Sequence, residues 1–362
     1  MIKVIAAIGR TFGLLLVAFV IVGLLYQATG FPLADVFTGA IHGAVTAPGA
    51  LTSTIRWTIP LLLVGLGVLI AFRAGFFNVG AQGQYYAGSI AALAVALGLN
   101  DSPAFVVVPL AIAAAVVAGA LWALVPGILR VRSGTDEVIT SLMMNFIGIL
   151  LLQYVTGGPL KDQSGSGQVT ASRTINSAFR LTDTSGVSPA LVLITAAVCL
   201  LVWLYVNRST VGLQATLAGR NPRMARWQGI NVGRLGLLGF ALGGGLAGLA
   251  GSLELLGPSG RLVGGFYPGL GFTAILIPLM ANLNVLGSIP AALFFGGLSS
   301  AILYIPIVTN LPHSAFDLLN GVVAMLITIR PVSTPRLRGL LPKGWLVRGG
   351  TATPNTDEAG HY

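Results

Sequence analysis

The chain has 362 residues, of which 55% are hydrophobic and 8% are charged, and its mean hydropathy is +0.87. This composition excludes a soluble globular protein, in which about a quarter of the residues are charged, and it indicates an all-α polytopic membrane protein. The formal net charge of +10 would indicate nucleic-acid binding in a soluble domain, but in a membrane protein it raises the question of which side carries the basic residues. We therefore expect the membrane, and no nucleic acid, as a partner.

Apolar stretches of about 20 residues, the length that crosses the hydrocarbon core of a bilayer, recur along the chain. Ten segments are predicted spans, the eighth of them short: Thr11–Tyr26, Trp57–Phe72, Gln84–Leu99, Ala104–Leu129, Val138–Val155, Ser188–Val206, Leu235–Leu256, Gly269–Ala281, Ser288–Tyr304 and Ala315–Ile329. With the amino terminus inside, fifteen Lys and Arg residues are cytoplasmic and five are outside, namely Arg56, Lys161, Arg173, Arg180 and Arg261. The positive-inside rule requires this asymmetry, so both termini are predicted to be cytoplasmic.

The stretch GFFNVGAQGQ, Gly75–Gln84, interrupts continuous apolar sequence with amides and glycines. Non-helical chain at membrane depth occurs where protein buries it or where it lines a wet cavity, and interrupted helices are typical of transport sites. Its amides can bond a neutral solute and its aromatic rings can stack on one; they are Asn78, Gln82 and Gln84, with Phe76, Phe77, Tyr85 and Tyr86. The alternative is a polar helix cap at the turn of a helical hairpin.

In the fifth predicted span, Glu137, Ser141 and Asn145 recur every four residues and therefore share one helix face. This face is expected to turn toward the interior of the bundle. Such residues commonly form hydrogen bonds between helices and more rarely contact a substrate.

The seventh predicted span combines small residues with one acid. Its small residues form overlapping small-xxx-small pairs, which predict close packing of helix backbones; they are Gly239, Gly243, Gly244, Ala247, Gly248 and Gly251. Glu254 is the only acidic residue in a strongly apolar span, and an ionisable group there indicates function because its burial is costly. Since Glu254 lies near the outer end, contact with water or a pair with Arg261 is the alternative to a place in a substrate path.

The connecting segment Asn207–Arg234 is predicted to be cytoplasmic and holds five arginines. Asn221 and Pro222 predict an N-cap followed by the first position of a helix. Gly229 predicts the end of this short helix, Pro222–Gln228. A helix projecting on the basic side is well placed to contact a soluble motor subunit, whereas the same arginines also suit contact with anionic lipids.

No catalytic residue, bound cofactor or metal is predicted. The chain lacks the phosphate-binding motif GxxxxGK[ST], so we do not expect it to hydrolyse ATP. Its three histidines are far apart in sequence, and no cluster of His, Cys, Asp or Glu has metal-ligand spacing. We divide the chain into a transmembrane domain, residues 1–330 with a coupling segment at 207–234, and a disordered cytoplasmic tail, residues 331–362.

Three motifs occur in order along the chain: GFFNVGAQGQ after FRA, GTDEVITSLMMNFI at Gly134–Ile147, and GRNPRMARWQGINV at Gly219–Val232. Together they resemble the membrane permease of an ATP-binding cassette (ABC) importer, in the branch that serves nucleosides and simple sugars and is related to the branched-chain amino acid permeases. The resemblance covers nearly all of the predicted spans. Gln82 stands where relatives often have Glu, and the tail after Pro331 has no counterpart.

The resemblance implies a ten-span permease in the plasma (inner) membrane of a prokaryote. It implies that a coupling helix sits in a groove of a separate ATPase subunit, which uses ATP and Mg, and that this helix carries Asn221, Pro222, Arg223, Arg226 and Gly229. It also implies a second permease subunit, like or unlike this one, and an extracytoplasmic solute-binding (lipo)protein.

The predicted function is transport of a small neutral solute, because amides and aromatic rings surround Asn78. We predict nucleosides; a ribose-like sugar or a branched-chain amino acid is the alternative within the family. An ion-coupled carrier usually needs several intramembrane ionisable groups, and only Glu254 qualifies; a membrane-embedded transferase needs paired acids, for which Asp136 and Glu137 are the only candidates. The predicted substrate path consists of Phe77, Asn78, Gln82, Gln84, Tyr85, Asn145 and Glu254.

Overall fold

The structure is a computed structural model that describes residues 20–24, 27, 38–163, 170–182, 186–266, 269–309 and 321–322. Most of the predicted first span, nearly all of the predicted last span and the whole predicted tail, 331–362, lie outside these residues. The described residues are mostly helical, which confirms the predicted all-α class for this part of the chain.

Ten α-helices follow one another in the described part of the chain and are numbered here in chain order. They are α1 (Ala50–Arg73), α2 (Ala81–Gly98), α3 (Ala104–Ser133), α4 (Glu137–Gly157), α5 (Pro189–Arg208), α6 (Thr210–Arg220), α7 (Pro222–Trp227), α8 (Val232–Glu254), α9 (Leu270–Met280) and α10 (Val285–Thr309). A π-helical turn at His42–Thr46 precedes α1, a 3-10 turn spans Ser177–Phe179, and a second π-helical turn, Leu255–Ser259, continues α8. Among the described residues, strand pairing is limited to isolated bridges.

Six helices of the described residues are long and apolar enough to cross a membrane: α1, α3, α4, α5, α8 with its π-helical continuation, and Val285–Ile302 of α10. The 11 residues of α9 make about 16 Å of helix, which is too short to cross the hydrocarbon core alone. Two glutamines in the first turn of α2 lower the hydropathy of that 18-residue helix. The predicted count of about ten spans is therefore not confirmed.

The first of these helices begins earlier than the sequence predicted. Ala50 follows Pro48 and Gly49, and Gly49 has the left-handed φ of 79°. The predicted start at Trp57 is therefore wrong by seven residues, because Ala50–Arg56 already belong to α1. The physical reason is that Arg56 finds an acidic partner inside the bundle, so its charge does not end the helix.

The centre of the bundle is α8, which packs against α1, α2 and α3. A Cβ atom placed on Gly248 would lie 2.1 Å from the Ala115 carbonyl oxygen of α3, and one placed on Gly88 of α2 would lie 2.3 Å from Gly248 Cα. A Cβ atom on Gly67 of α1 would lie 2.6 Å from the Gly243 carbonyl oxygen. The backbones therefore touch directly, which confirms the predicted packing role of the small residues in α8.

Burial separates the central helices from the peripheral ones. In the apolar stretches of α1 and α8, 78% and 72% of the residues are buried, whereas the share is 22% in α3 and 28% in both α4 and α5. A membrane helix that exposes most of its apolar side chains presents them to lipid or to another membrane subunit. The peripheral helices of the described bundle are therefore α3, α4 and α5.

The connection after α4 folds back onto the end of α8. Ala171 forms a bridge with Val263, and the Ser172 amide donates to the Leu262 carbonyl. The Arg180 side chain donates to the carbonyl oxygens of Gly257 and Pro258 at 3.3 and 2.9 Å. Arg180, which was predicted only to lie on the outer side of the membrane, thus supports the π-helical turn after α8.

Candidate functional site

The helical run is interrupted between α1 and α2, as the sequence predicted. Residues 74–80 are non-helical. The stretch Gly75–Gln84, called the interrupted segment below, runs from these residues into the first turn of α2. Gly75 has a left-handed φ of 82° where the chain passes Gly219 of α6. The Phe76 ring packs edge-on against Phe240 of α8, with ring centroids 6.3 Å apart. Since α2 begins at Ala81, three residues before the predicted Gln84, both Gln82 and Gln84 belong to its first helical turn.

Asn78 and Gln84 bond to each other through both of their amide groups. Asn78 Nδ2 donates to Gln84 Oε1 at 3.0 Å, and Gln84 Nε2 donates to Asn78 Oδ1 at 2.9 Å. Asn78 Oδ1 also accepts from the Gly80 amide. Both side chains are almost completely buried. The pair therefore ties the non-helical chain at Asn78 to the first turn of α2, and its polar groups are satisfied within the chain.

Two further predicted path residues connect the start of α2 to the chain around α9. Gln82 is buried, and its Oε1 atom accepts a hydrogen bond from the Gly271 amide in the first turn of α9. Tyr85 is buried and stacks on Phe266, with ring centroids 5.8 Å apart. The first turns of α2 and α9 thus meet inside the bundle.

Phe77 differs from its neighbours because its side chain faces outward. It is 51% exposed, whereas Phe76 and Asn78 are buried. Its ring lies against Phe72 of α1, with centroids 5.0 Å apart and planes inclined at 59°. The interrupted segment therefore offers an aromatic surface to whatever lies beside it.

The polar face of α4, defined by Glu137, Ser141 and Asn145, turns inward as predicted, and all three side chains are buried. Ser141 Oγ accepts from the Val79 amide at 3.2 Å. Asn145 Oδ1 accepts from the Gly83 amide at 2.8 Å, and Asn145 Nδ2 donates to the Val79 carbonyl at 2.9 Å. This face holds the interrupted segment by hydrogen bonds between elements, which the sequence weighed as the commoner use of such residues.

Glu254 is buried at the far end of α8 and pairs with Arg56, not with the sequence neighbour Arg261. Arg56 Nη2 lies 3.2 Å from Glu254 Oε1, and the Ser259 hydroxyl donates to the same oxygen at 2.7 Å. The Arg56 guanidinium also lies 5.6 Å from the centroid of the Trp57 ring. The alternative pairing with Arg261 is therefore wrong, because packing of α1 against α8 brings a residue 198 positions away closer than one seven positions away.

The opposite end of the bundle carries α6 and α7. Asn221 Oδ1 accepts from the Met224 amide and caps α7, Pro222 occupies its first position, and Gly229 has the left-handed φ of 77° just beyond its end. The predicted helix is present and ends at Trp227, one residue before the predicted Gln228. Helix α6, which begins after the Ser209 cap, was not predicted from the sequence.

A cavity of about 540 Å³ lies behind α7. Its wall includes Arg130 at the end of α3, Pro222 and Arg226 of α7, and Phe76 of the interrupted segment. The two arginines make this wall basic. The cavity thus places α7 next to the same segment that carries Phe77.

Two features of this end were missed by the sequence analysis. The first is an apolar surface on α7: Trp227 is 90% exposed, and Met224 on the same helix is also exposed. The signal in the sequence for this surface was an aromatic residue inside a basic connecting segment. Arg130 Nε lies 3.0 Å from Glu137 Oε2 across the turn between α3 and α4. The signal for this ion pair was the seven-residue separation of opposite charges around Gly134.

Among the residues that the structure describes, no three His, Cys, Asp or Glu side chains come together as metal ligands do. The polar groups that converge are instead neutral amides and hydroxyls at residues 78–84 and on α4. Such groups can position chain segments or bond an uncharged solute.

The sequence is similar to known membrane permeases. The family described as branched-chain amino acid transport system / permease component matches residues 50–328. The guanosine ABC transporter permease protein NupP of Bacillus subtilis is 31% identical over 308 residues, which cover 84% of this chain and 88% of that protein. The glucose ABC transporter permease protein TsgB13 of Haloferax volcanii is 32% identical, covering 78% and 77%. The nucleoside ABC transporter permease protein NupB of Lactococcus lactis is 27% identical, covering 97% and 96%. The chain therefore belongs to this family of membrane-embedded ABC transporter permeases.

Proposed function

We propose that this permease imports nucleosides and that the interrupted segment between α1 and α2 forms part of the wall of its substrate path. The observation that carries the proposal is the exposed Phe77 ring in a segment whose other polar and aromatic side chains are buried. The planar base of a nucleoside can stack on such a ring, which stabilises binding by about 1 kcal/mol and requires no charged group. The relatives named for guanosine and nucleosides support this choice of solute.

The other predicted path residues support the shape of this wall in the conformation described. The polar groups of Asn78 and Gln84 bond to each other, Gln82 bonds to α9, and Asn145 bonds to the backbone of the segment. Buried amides that are satisfied in this way hold backbone in a fixed geometry. We propose that they position Phe77, and that Tyr85 and the Arg56–Glu254 pair hold the surrounding helices.

The energy for import is proposed to come from a separate ATPase subunit that uses ATP and Mg and docks on α7. Exposed apolar side chains on a short helix outside the spans mark an interaction surface, and Trp227 and Met224 form one here. Asn221, Pro222 and Gly229 fix the position of this helix, and Arg223 and Arg226 add positive charge.

The remaining assembly follows from the family. We propose a second permease subunit and an extracytoplasmic solute-binding (lipo)protein in the plasma membrane of a prokaryote, with the α7 end, both termini and the tail 331–362 on the cytoplasmic side. The clustering of arginines at the ends of α1, α3, α5 and α6 supports this orientation.

A sugar is the second candidate solute, because the glucose permease relative matches this chain about as well as the guanosine permease does. A sugar would be bonded through its hydroxyls and has no planar base to stack. Binding of a nucleoside should therefore depend on the aromatic ring of Phe77, whereas binding of a sugar should not.

Uptake into cells that express the complete transporter tests the proposal. We expect ATP-dependent uptake of labelled guanosine that unlabelled adenosine or uridine competes for and that glucose does not. Phe77→Tyr keeps a stacking face and should retain uptake, whereas Phe77→Leu should reduce it. Uptake of glucose without guanosine would favour the sugar, and uptake of neither would refute both.

A further inference from the structure

One helix, α4, contacts both the wall of the cavity behind α7 and the interrupted segment. At its start, Glu137 pairs with Arg130, which lines the cavity together with Pro222 and Arg226 of α7. Two helical turns later, Asn145 bonds to the backbone of the interrupted segment. The distance along the helix between these two residues is about 12 Å.

The link at the cavity is an asymmetric ion pair. The Glu137 side chain is 9% exposed, whereas the Arg130 side chain is 43% exposed. Arg130 Nη1 also donates to the carbonyl oxygens of Gly134 and Thr135, at 3.4 and 3.3 Å, and so holds the turn that joins α3 to α4. The half-exposed guanidinium is therefore open to competition from a partner at this end of the bundle, whereas the carboxylate stays inside.

The link at the interrupted segment leaves little free space. Besides the hydrogen bonds that join Ser141 and Asn145 to Val79 and Gly83, the chain at Gly83 approaches α4 so closely that a Cβ atom there would lie 2.6 Å from the Met144 carbonyl oxygen. A Cβ atom on Gly148 would lie 2.7 Å from Gly83 Cα. Close-packed contacts of this kind transmit displacement, because they cannot be compressed. A shift of α4 therefore has to move the segment that carries Phe77.

We propose that the polar face of α4 transmits movement of α7 to the substrate path, with Arg130–Glu137 as its input and Ser141 and Asn145 as its output. These are positioning residues, since they act on Phe77 through the backbone of the interrupted segment. The inference rests on the proposed docking of an ATPase on α7. It does not depend on which solute is carried.

The first test compares two neighbouring acids at the start of α4. Glu137→Gln removes the buried carboxylate, whereas Asp136→Asn removes an exposed one and keeps an N-cap side chain. In the purified complete transporter we expect basal ATP hydrolysis to persist in both. Stimulation of hydrolysis by solute-loaded binding protein should fall about tenfold in Glu137→Gln alone, a typical coupling between sites. Unchanged stimulation in Glu137→Gln would overturn the proposal.

The second test asks whether both ends of α4 belong to one connection. Glu137→Gln and Asn145→Ala should each reduce stimulation, and the double variant should be little worse than either single variant, because one broken connection cannot be broken twice. Losses that multiply would mean that the two residues are separate local supports. If Glu137→Gln does not accumulate in the membrane, Arg130→Gln, at the half-exposed partner, replaces it with the same two expected outcomes.

The third test does not require the solute. In a Cys199→Ser background, Phe77→Cys gives a single thiol on the exposed position of the interrupted segment. We expect its labelling rate to change when a non-hydrolysable ATP analogue is added to the complex, and this change to disappear in the presence of Glu137→Gln but not of Asp136→Asn. A rate that ignores the analogue, or a change that survives Glu137→Gln, would refute the proposal even if guanosine uptake is confirmed. A wrong solute would leave these outcomes unaffected.

Discussion

The interrupted segment after α1 and the short helix α7 distribute polarity in opposite ways. The segment is rich in amides, and these are buried and bonded within the chain. The helix belongs to a basic connecting segment, and yet its largest side chain, Trp227, is apolar and 90% exposed. Residue type alone therefore misleads about which region meets a partner.

The physical reason is the different environment of the two regions. Within a membrane bundle, a polar group without a hydrogen bond costs several kcal/mol, so amides there pair with whatever the chain provides. Outside the spans, water satisfies polar groups, and the unfavourable feature is exposed apolar surface. The exposed aromatic side chain of each region, Phe77 in the segment and Trp227 in α7, therefore indicates binding better than its polar residues do.

The largest expected effect is that of Trp227→Ser on assembly. Loss of an aromatic anchor at an interface typically costs about 2 to 4 kcal/mol, which corresponds to roughly 30-fold to 1,000-fold in affinity. We expect the ATPase subunit no longer to co-purify with the tagged permease, while the permease still accumulates in the membrane.

Phe105→Ser is the matched control for this variant. Phe105 is also strongly exposed, but it lies at the start of α3, and the end of α3 is the one that lines the cavity behind α7. Equal co-purification of the ATPase with both variants would show that α7 is not the docking surface. Exposure of Trp227 would then not indicate a binding region.

The next largest effect concerns Gln84→Leu. It leaves the Asn78 amide nitrogen without its acceptor in a buried place, at a cost of about 1 to 3 kcal/mol. We expect a lower unfolding temperature of the solubilised permease, together with reduced uptake. Ser89→Ala, in the same helix, removes a buried hydroxyl that bonds only to its own helix and should change the unfolding temperature less.

Gln84→Leu also tests whether the buried amides of the interrupted segment support its structure or bind the solute. If Gln84→Leu kept the parental unfolding temperature and still abolished uptake, the amide pair would serve the solute directly. The interrupted segment would then bind by its polar groups, as the sequence first indicated.

A smaller effect separates the two adjacent phenylalanines. Phe77→Ala should raise the KM for guanosine about fivefold, through loss of about 1 kcal/mol of stacking, and leave the unfolding temperature unchanged. Phe76→Ala should lower the unfolding temperature, because the buried ring fills the space beside Gly236 and Phe240. The prediction is contradicted if Phe77→Ala and Phe76→Ala both change only the KM or both change only the unfolding temperature.

The smallest effect is that of Arg223→Gln. An exposed charge contributes up to about 1 kcal/mol to an ion pair and is screened by salt. We expect about a twofold loss of ATPase binding at low salt and none at high salt. Arg132→Gln, an exposed arginine at the end of α3, should have no such effect. If both variants instead respond to the anionic lipid content, these arginines contact lipid.

Local signals predicted α7 well. Asn221 caps it, Pro222 opens it and Gly229 follows its end, and each of these roles depends on only a few neighbouring residues. The inward face of α4 was predictable for the same reason, because a spacing of four residues fixes a common side of a helix. The interruption after α1 was visible as amides and glycines in apolar sequence.

Contacts between distant elements could not be predicted. The sequence showed Asn78 and Gln84 as free amides, because their pairing requires the bend at residues 78–80. For Glu254 it offered a place in the substrate path, with water or Arg261 as the alternative, because Arg56 is far away along the chain. Helix packing decides both cases. Exposure was hidden for the same reason. The predicted path named Phe77 and not Phe76, but the sequence could not show that only Phe77 is exposed, nor that Trp227 is exposed beside the arginines.

The direct backbone contacts of α8 limit how this permease can change shape. Where Gly248 touches Ala115 and Gly67 touches Gly243, no side chain can turn to create a second arrangement. Sliding α8 by one residue would bring Leu249 toward the place that only a glycine can occupy. We therefore expect α1, α2, α3 and α8 to keep their mutual packing and to move as one unit when the permease changes shape. Bending is left to hinges at its margins, and the 11-residue α9 and the non-helical residues 74–80 are the parts suited to that role.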